Sequence, residues 1–204
     1  SKEARDEFPD LHVEQRSAIS IGRRLQDPLA ELVKIEPQAI GVGQYQHDLP
    51  KKELAGELDA VVERAVNRVG VNLNTASYQL LTQISGLNKT TAKNIVKYRD
   101  EHGKYTNRKQ LKDVPRLGPK AYQQSVGFLR IVNGDNPLDN TDVHPESYPI
   151  AEKIMETAEI NVDSLGSDAA EKQLKKIDVD DFTTENAGEE TVKDIIASLQ
   201  KPGR

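Results

Sequence analysis

Two stretches of the chain, about thirty residues apart, follow one plan. The first, ISGLNKTTAKNIVKYRDEHG, begins at Ile84; the second, VPRLGPKAYQQSVGFLR, begins at Val114. Each gives an apolar residue, a tight turn, an apolar plug and then a helix with a basic residue in its first turn. The helix starts directly after the turn, so its first N–H groups have no partner and lie at the positive end of the helix dipole. A glycine in the turn permits close approach and positive φ. The product is a cradle for a phosphate oxygen, to which a lysine adds charge. Two cradles side by side hold successive phosphates of a strand without reading its bases. A single helical hairpin of this type also serves as a plain packing unit, its lysines then a solvated face; two in tandem on a basic stretch favour nucleic acid.

The residues expected to make these contacts are Gly86, Leu87, Asn88, Lys89, Thr90, Lys93, Arg116, Gly118 and Lys120. In the first copy Leu87 is the plug. Asn88 stands where a second glycine is commoner and is expected to tolerate left-handed φ there. Lys89, Thr90 and Thr91 supply a charge and two hydroxyls at the helix start, and Ala92 is small where helices touch. In the second copy Leu117 is the plug, Gly118 is kept, and Arg116 replaces the first glycine. Pro119 removes an N–H that a phosphate could use. The first hairpin is therefore expected to carry more of the contact, with Arg116 offering a side chain in place of backbone.

Charge distribution agrees with this placement. The whole chain carries a net charge of −5 over 204 residues, which alone argues against nucleic acid. Residues 1–85 carry −3, residues 86–130 carry +8, and residues 131–204 carry −10. The basic island coincides with the repeated stretch, and such asymmetry bears on partners.

Elsewhere the periodicity is helical. Val13 to Leu25 is a weak amphipathic helix with Val13, Ala18, Ile19, Ile21 and Leu25 near one stripe. Asp27-Pro28 is a cap followed by a first-turn proline, opening a helix to Ile35. EPQAIGVGQYQHDLP is turn-rich, and its Gly41 and Gly43 read as a turn. Residues 51–69 form an amphipathic helix on Leu54, Leu58, Val61, Val62, Ala65 and Val69, stopped by Gly70. Asn74 or Thr75 is expected to cap a short helix through Leu80 and Leu81. Further helices are expected at 90–99, 108–114, 119–131, 148–158, 168–177 and 189–199, with Asn186 and Glu189 as a capping box for the last. NGDNPLDN is a boundary. No useful strand alternation occurs, so the fold class is all-α.

Composition closes other routes. With 0 Cys, neither a disulfide nor a thiolate metal site is possible. The four histidines (His12, His47, His102, His144) stand far apart, without metal-ligand spacing. No nucleophile elbow, Walker loop or supported carboxylate pair occurs. No catalytic residue, metal or cofactor is expected, and no small-molecule substrate. With no apolar run of membrane-spanning length, the expectation is a soluble cytoplasmic protein that is not an enzyme. The chain starts SKEARDEFPD, without an initiator Met, and reads as part of a longer protein.

VNLNTASYQLLTQISGLNKTTAKNIVKYRDEHGKYTNRKQLKDVPRLGPKAYQQSVGFLRI resembles the tandem helix-hairpin-helix domain. QDPLAELVKIEPQAIGVGQYQHDL before it, and GDNPLDNTDVHPESY and LQKPGR after it, resemble the bacterial Tex family of transcription accessory proteins. The resemblance runs nearly end to end. It implies three parts: residues 1–50 as the tail of an RNase H-like (YqgF-type) domain, 51–135 as the tandem helix-hairpin-helix domain, and 136–204 as a second small helical domain preceding an S1 RNA-binding domain. It also implies DNA or RNA as a non-specific partner, and RNA polymerase or other transcription machinery as a further one. At FPDLHVEQRSAISI the family usually has an acidic residue where this chain has His12, a poor ligand for Mg²⁺. Asp10 and Glu14 nearby read as surface charge. The alternative function is a protein-interaction scaffold within a transcription complex.

Overall fold

The computed structural model describes residues 2–35 and 50–202. The turn-rich stretch with Gly41, Gly43 and His47 lies outside the described residues. The first helices are α1 (Lys2–Glu7), α2 (Val13–Gln26) and α3 (Pro28–Leu32). Asp27 acts as the cap its chemistry predicts, its Oδ1 accepting from the Ala30 N–H at 3.2 Å, with Pro28 in the first turn. α3 stops at Leu32, short of the expected Ile35. α1 was not foreseen; six residues are too few for periodicity to declare itself.

These three helices are tied by charge. Glu7 accepts from Arg23 and Lys34, each at 2.6 Å. Glu31 accepts from Lys34 at 2.8 Å and from the Ser20 hydroxyl at 2.7 Å. Burial would push the Glu31 carboxyl up, but the bonds from Lys34 and Ser20 outweigh it and hold the group below its ordinary value. The stripe expected to bury α2 does not. Val13, Ile21 and Leu25 are exposed and no residue of α2 is buried, because polar side chains make its join to α1 and α3.

α4 (Lys51–Val69) ends at Gly70, whose N–H reaches the Val66 carbonyl. Of the expected stripe Leu54, Leu58 and Val62 are half-buried, while Val61, Ala65 and Val69 are exposed; Val66 is the fully buried residue. The helix therefore meets the core chiefly through its last turns. The chain then forms β1 (Val71–Asn72) and α5 (Tyr78–Thr82), capped by Ser77 through the Leu80 N–H and not by Asn74 or Thr75. Asn74 is otherwise engaged: its carboxamide donates to the Tyr105 carbonyl at 2.9 Å and accepts from the Tyr105 N–H at 2.7 Å.

α6 (Lys89–His102) is followed by a 3₁₀ turn at Arg108–Asp113 and by α7 (Pro119–Ser125). The helix expected to run to Ile131 ends six residues early. A 3₁₀ turn at Val126–Phe128 leads into β2 (Leu129–Arg130), which pairs in parallel with β1, Val71 opposite Leu129 and Asn72 opposite Arg130. This two-residue pair is invisible to a search for alternation. It closes the first unit, whose core gathers Val66, Leu73, Leu80, Leu81, Ile84, Ile95, Leu111, Leu129 and Ile131, together with Ala30 from α3.

A second apolar cluster forms from α8 (Tyr148–Thr157), α9 (Asp168–Leu174) and α10 (Glu189–Gln200), around Ile154, Leu174, Val192, Ile195 and Leu199. Gly188 is the cap position of α10 and makes no side-chain bond, so the expected Asn186–Glu189 box is absent. A bridge between Thr184 and Ala187 holds that turn instead. No helix among the described residues is long and apolar enough to cross a membrane.

Arg108 joins the two clusters. Although counted in the basic island, it is 1% exposed. Its Nε donates to the Leu129 carbonyl at 2.9 Å, and its terminal nitrogens donate to the Val143 carbonyl at 2.7 Å, the Tyr148 hydroxyl at 2.9 Å and the Thr141 carbonyl. Its own N–H reaches Asp139, which also accepts from the Tyr148 hydroxyl. A guanidinium with this many donors suits a site walled by carbonyl oxygens.

Candidate nucleic-acid interface

The two turns have one backbone form. In the first, Gly86 has φ +86°, and the Leu87 N–H closes onto the Ile84 carbonyl at 3.0 Å. In the second, Arg116 has φ +64°, and the Leu117 N–H closes onto the Val114 carbonyl at 3.2 Å. Arg116 thus occupies the left-handed position that glycine favours, an arrangement that L side chains take at some cost in strain. Leu117 is buried and Leu87 half-buried, as plugs should be.

Asn88 differs from expectation. Its backbone is extended (φ −122°, ψ 176°), and it serves as the cap of α6. Its Oδ1 accepts from the Thr91 N–H at 2.9 Å, while the Thr91 hydroxyl accepts from the Asn88 N–H at 2.9 Å. Thr91 is buried in this box and offers no hydroxyl to a ligand. The left-handed residue is Gly86, two positions earlier. What remains open at the start of α6 is the pair of N–H groups on Lys89 and Thr90, which have no intrahelical partner.

Gly118 is the corresponding cap of α7, extended at φ −72° and ψ 171°. A Cβ built there meets nothing within 4 Å. Neither dihedral nor packing demands glycine at this position. Gly86 is the opposite case. A Cβ there would come within 2.7 Å of the Gln124 Cβ and 3.3 Å of the Ala121 carbonyl, so the first turn lies directly on α7. Gly86 is therefore required for its φ and for this packing.

The turns brace each other crosswise. The first turn rests on α7, the helix that follows the second. In return Asn94 of α6, the helix that follows the first, donates from Nδ2 to the Pro115 carbonyl at 2.8 Å. Asn67 of α4 holds the run into the first turn, donating to the Gln83 carbonyl at 2.9 Å and accepting from the Ser85 N–H at 3.0 Å. Sequence reasoning missed Asn67 and Asn94. The available signal was a carboxamide on an otherwise apolar or basic helix face, too common to single out.

Gly86, Asn88, Lys89, Thr90, Lys93, Arg116, Gly118 and Lys120 are all exposed. The structure brings them together on the two braced turns and the first helical turns beyond. Lys93 lies over the Tyr78 ring, 5.0 Å from its centroid. In backbone position Lys120 matches Thr90 and Pro119 matches Lys89, so the two basic residues do not superpose. Not all of the basic island faces outward. Arg108 and Arg130 are buried, and Arg99 is half-buried with its guanidinium on the Leu73 and Ala76 carbonyls at 2.8 and 3.0 Å. Burial pushes the Arg99 and Arg130 guanidinium groups below their ordinary value. Eight cations of the island remain exposed: Lys89, Lys93, Lys97, Lys104, Lys109, Lys112, Arg116 and Lys120.

His12 stands at the cap position of α2, its N–H donating to Gln15 Oε1 at 3.0 Å. No group of three or more His, Asp or Glu side chains suited to a metal occurs among the described residues.

The helix-hairpin-helix motif family matches residues 66–130, the first unit with both turns. A helix-hairpin-helix (HHH) domain family matches residues 136–204, and a Tex protein YqgF-like domain family matches residues 1–26. The chain is 58% identical over its whole length to the protein named tex of Bordetella pertussis. It is 55% identical, again over its whole length, to the transcriptional accessory protein Tex of Neisseria gonorrhoeae. Against the human S1 RNA-binding domain-containing protein 1 it is 43% identical over 76% of the chain. The matched stretches account for 26%, 27% and 20% of those relatives, so the chain spans about a quarter of the length of the bacterial ones. With both hairpins, the YqgF-like opening and every residue of its length matched, the chain belongs to the Tex family.

Proposed function

We propose that this chain binds nucleic acid by its phosphates, without sequence preference, through the two turns at Gly86–Lys89 and Arg116–Lys120. A nucleic-acid-binding role within a Tex-like protein is what the helix-hairpin-helix matches and the Tex relatives support. The observation that carries the finer reading is the mutual bracing of two turns of one backbone form, with Lys89, Lys93, Arg116 and Lys120 exposed on the turns and on the first helical turns beyond them. At the first turn the Lys89 and Thr90 N–H groups stand at the positive end of a 14-residue helix. At the second, Arg116 supplies a fork of donors suited to phosphate, and Gly118 keeps the backbone bare where no packing requires it.

In this reading residues 1–50, 51–135 and 136–204 act as YqgF-type tail, gripping unit and acidic second unit. The chain works as a binding module and performs no catalysis. In the whole protein the grip would serve a transcription complex, with RNA polymerase the expected partner. Titrating the chain with single- and double-stranded DNA and RNA at two salt concentrations tests the proposal. Affinity that falls steeply with salt and is indifferent to sequence supports it. Absence of salt-sensitive binding at low ionic strength gives way to the interaction-scaffold reading.

A further inference from the structure

A cleft of about 530 Å³ opens between the outer half of α6 and the second turn. Its walls are Tyr98 and His102 from α6 with Asp113 and Arg116 from the turn, and Lys97 and Glu101 stand at its side. Tyr98 and His102 stack at 4.2 Å between centroids and 17° between planes. Tyr98 also stacks on the buried Tyr105 at 5.5 Å and 19°. The Tyr105 hydroxyl donates to the Ile95 carbonyl at 2.9 Å, anchoring the inner ring. The His102 Nδ1 lies 3.1 Å from the Tyr98 carbonyl, which fixes the outer ring in place. Three rings thus run from core to surface, buried, half-buried and exposed.

This is a rigid aromatic platform beside a phosphate-binding turn, and we infer that it stacks a base of a single-stranded nucleic acid whose phosphate is held by Arg116. The inference rests on the phosphate reading above and adds to it which form of nucleic acid the site takes. Two carboxylates, Asp113 and Glu101, line the cleft beside Arg116, and Glu101 is paired with Lys97 at 3.6 Å. The same carboxylates are acceptors for a base's exocyclic amine. Cations at the rim and stacked rings inside are the combination by which single strands are bound, since every base has a π-face. In a paired duplex the base is not free to enter.

The test compares two oligonucleotides of equal charge, each roughly 12 nucleotides long, one of cytidines and one of abasic sugars, by fluorescence anisotropy with the 204-residue chain. The cytidine strand should bind about 5-fold tighter or more. His102→Ala, at an exposed position, should bring the two affinities together and leave the salt dependence unchanged. Photocrosslinking of a strand carrying 5-iodouracil should then mark the peptide that contains Tyr98 and His102. Equal, salt-sensitive binding of both strands by the unaltered chain overturns the inference while leaving the phosphate reading intact. A cytidine preference that survives His102→Ala overturns it as well, since the base then sits elsewhere. Binding of neither strand removes both.

Discussion

Gly86 and Arg116 hold the same place in two successive turns, both with positive φ, yet one has no side chain and the other has the bulkiest cation available. The pair shows that the turn geometry is imposed by the braced fold and not by glycine alone. Arg116→Gly should relieve left-handed strain, and the resulting change is a gain of up to about 1 kcal/mol, reduced by the added freedom of the unfolded chain. The same change removes a cation, so affinity for nucleic acid should fall. A variant that melts higher and binds more weakly is the expected outcome. Gly86→Ala should go the other way in stability, losing about 1–3 kcal/mol from the strained φ and the clash with Gln124.

Gly118 separates fold from binding in a different manner. A Cβ there meets nothing within 4 Å and φ is ordinary, so Gly118→Val should leave the melting temperature nearly unchanged. If a phosphate approaches the backbone at this point, affinity should fall with net charge constant. Unchanged affinity would remove Gly118 from the interface.

Lys89, Lys93 and Lys120 are exposed on the two turns and the first helical turns that follow. If each neutralises one phosphate, replacing all three with Ala should flatten the slope of log K against log salt by roughly 2–3 units, at ~0.9 per phosphate on duplex and ~0.7 on single strands. The weakening should be the same for all sequences, because phosphates carry no base information.

Arg108 and Arg130 are both buried, but their surroundings differ. Arg108 spends its guanidinium on three carbonyls and a hydroxyl, whereas the Nε and one terminal nitrogen of Arg130 have no partner among the described residues. Arg108→Met should destabilise the chain by about 3 kcal/mol or more, by stranding buried acceptors. Arg130→Met should fall within about 1 kcal/mol of neutral. A fragment of residues 51–135 is expected to melt cooperatively. In it the Arg108→Met penalty should shrink, since Thr141, Val143 and Tyr148 are gone; chemical denaturation of the four proteins checks this.

The Glu31 carboxyl, held below its ordinary value by Lys34 and Ser20, links the first three helices to pH. A depressed folded value means that its contribution is present above the unfolded carboxylate value, about 4.3, and lost as pH falls through the folded one. Glu31→Gln should therefore lower stability at neutral pH, and the gap to the unaltered chain should narrow in acid. A gap that stays constant from neutral pH to about pH 3 would contradict this.

The hairpins were legible because their determinants are local: a plug, a residue able to take positive φ, and a helix start within a few positions. Helix existence followed from period, and the caps at Asp27 and Gly70 from residue type. What the sequence concealed depends on partners far along the chain. Asn88 looked like a turn residue because its cap bond to Thr91 and the φ of Gly86 act together. Arg108 looked like surface charge because its acceptors, Val143 and Tyr148, lie some 35 to 40 residues on. β2 looked like the end of a helix because its partner, Val71, lies nearly sixty residues earlier. The apolar stripe of α2 was read correctly as a pattern, but pattern alone does not say whether anything covers it.

The parallel pairing of β1 and β2 also decides how the unit answers a pull. The chain arrives at β1 through Gly70 and departs from β2 through Ile131, and the strands point the same way. Tension applied through α4 on one side and the second unit on the other would drag the strands past each other lengthwise. Their bonds, with that from the Leu73 N–H to the Arg130 carbonyl, are then strained together in shear, instead of peeling apart singly. Tension passed between those two points of attachment is thereby carried by the strand pair and bypasses the two turns, which lie between the strands in the chain.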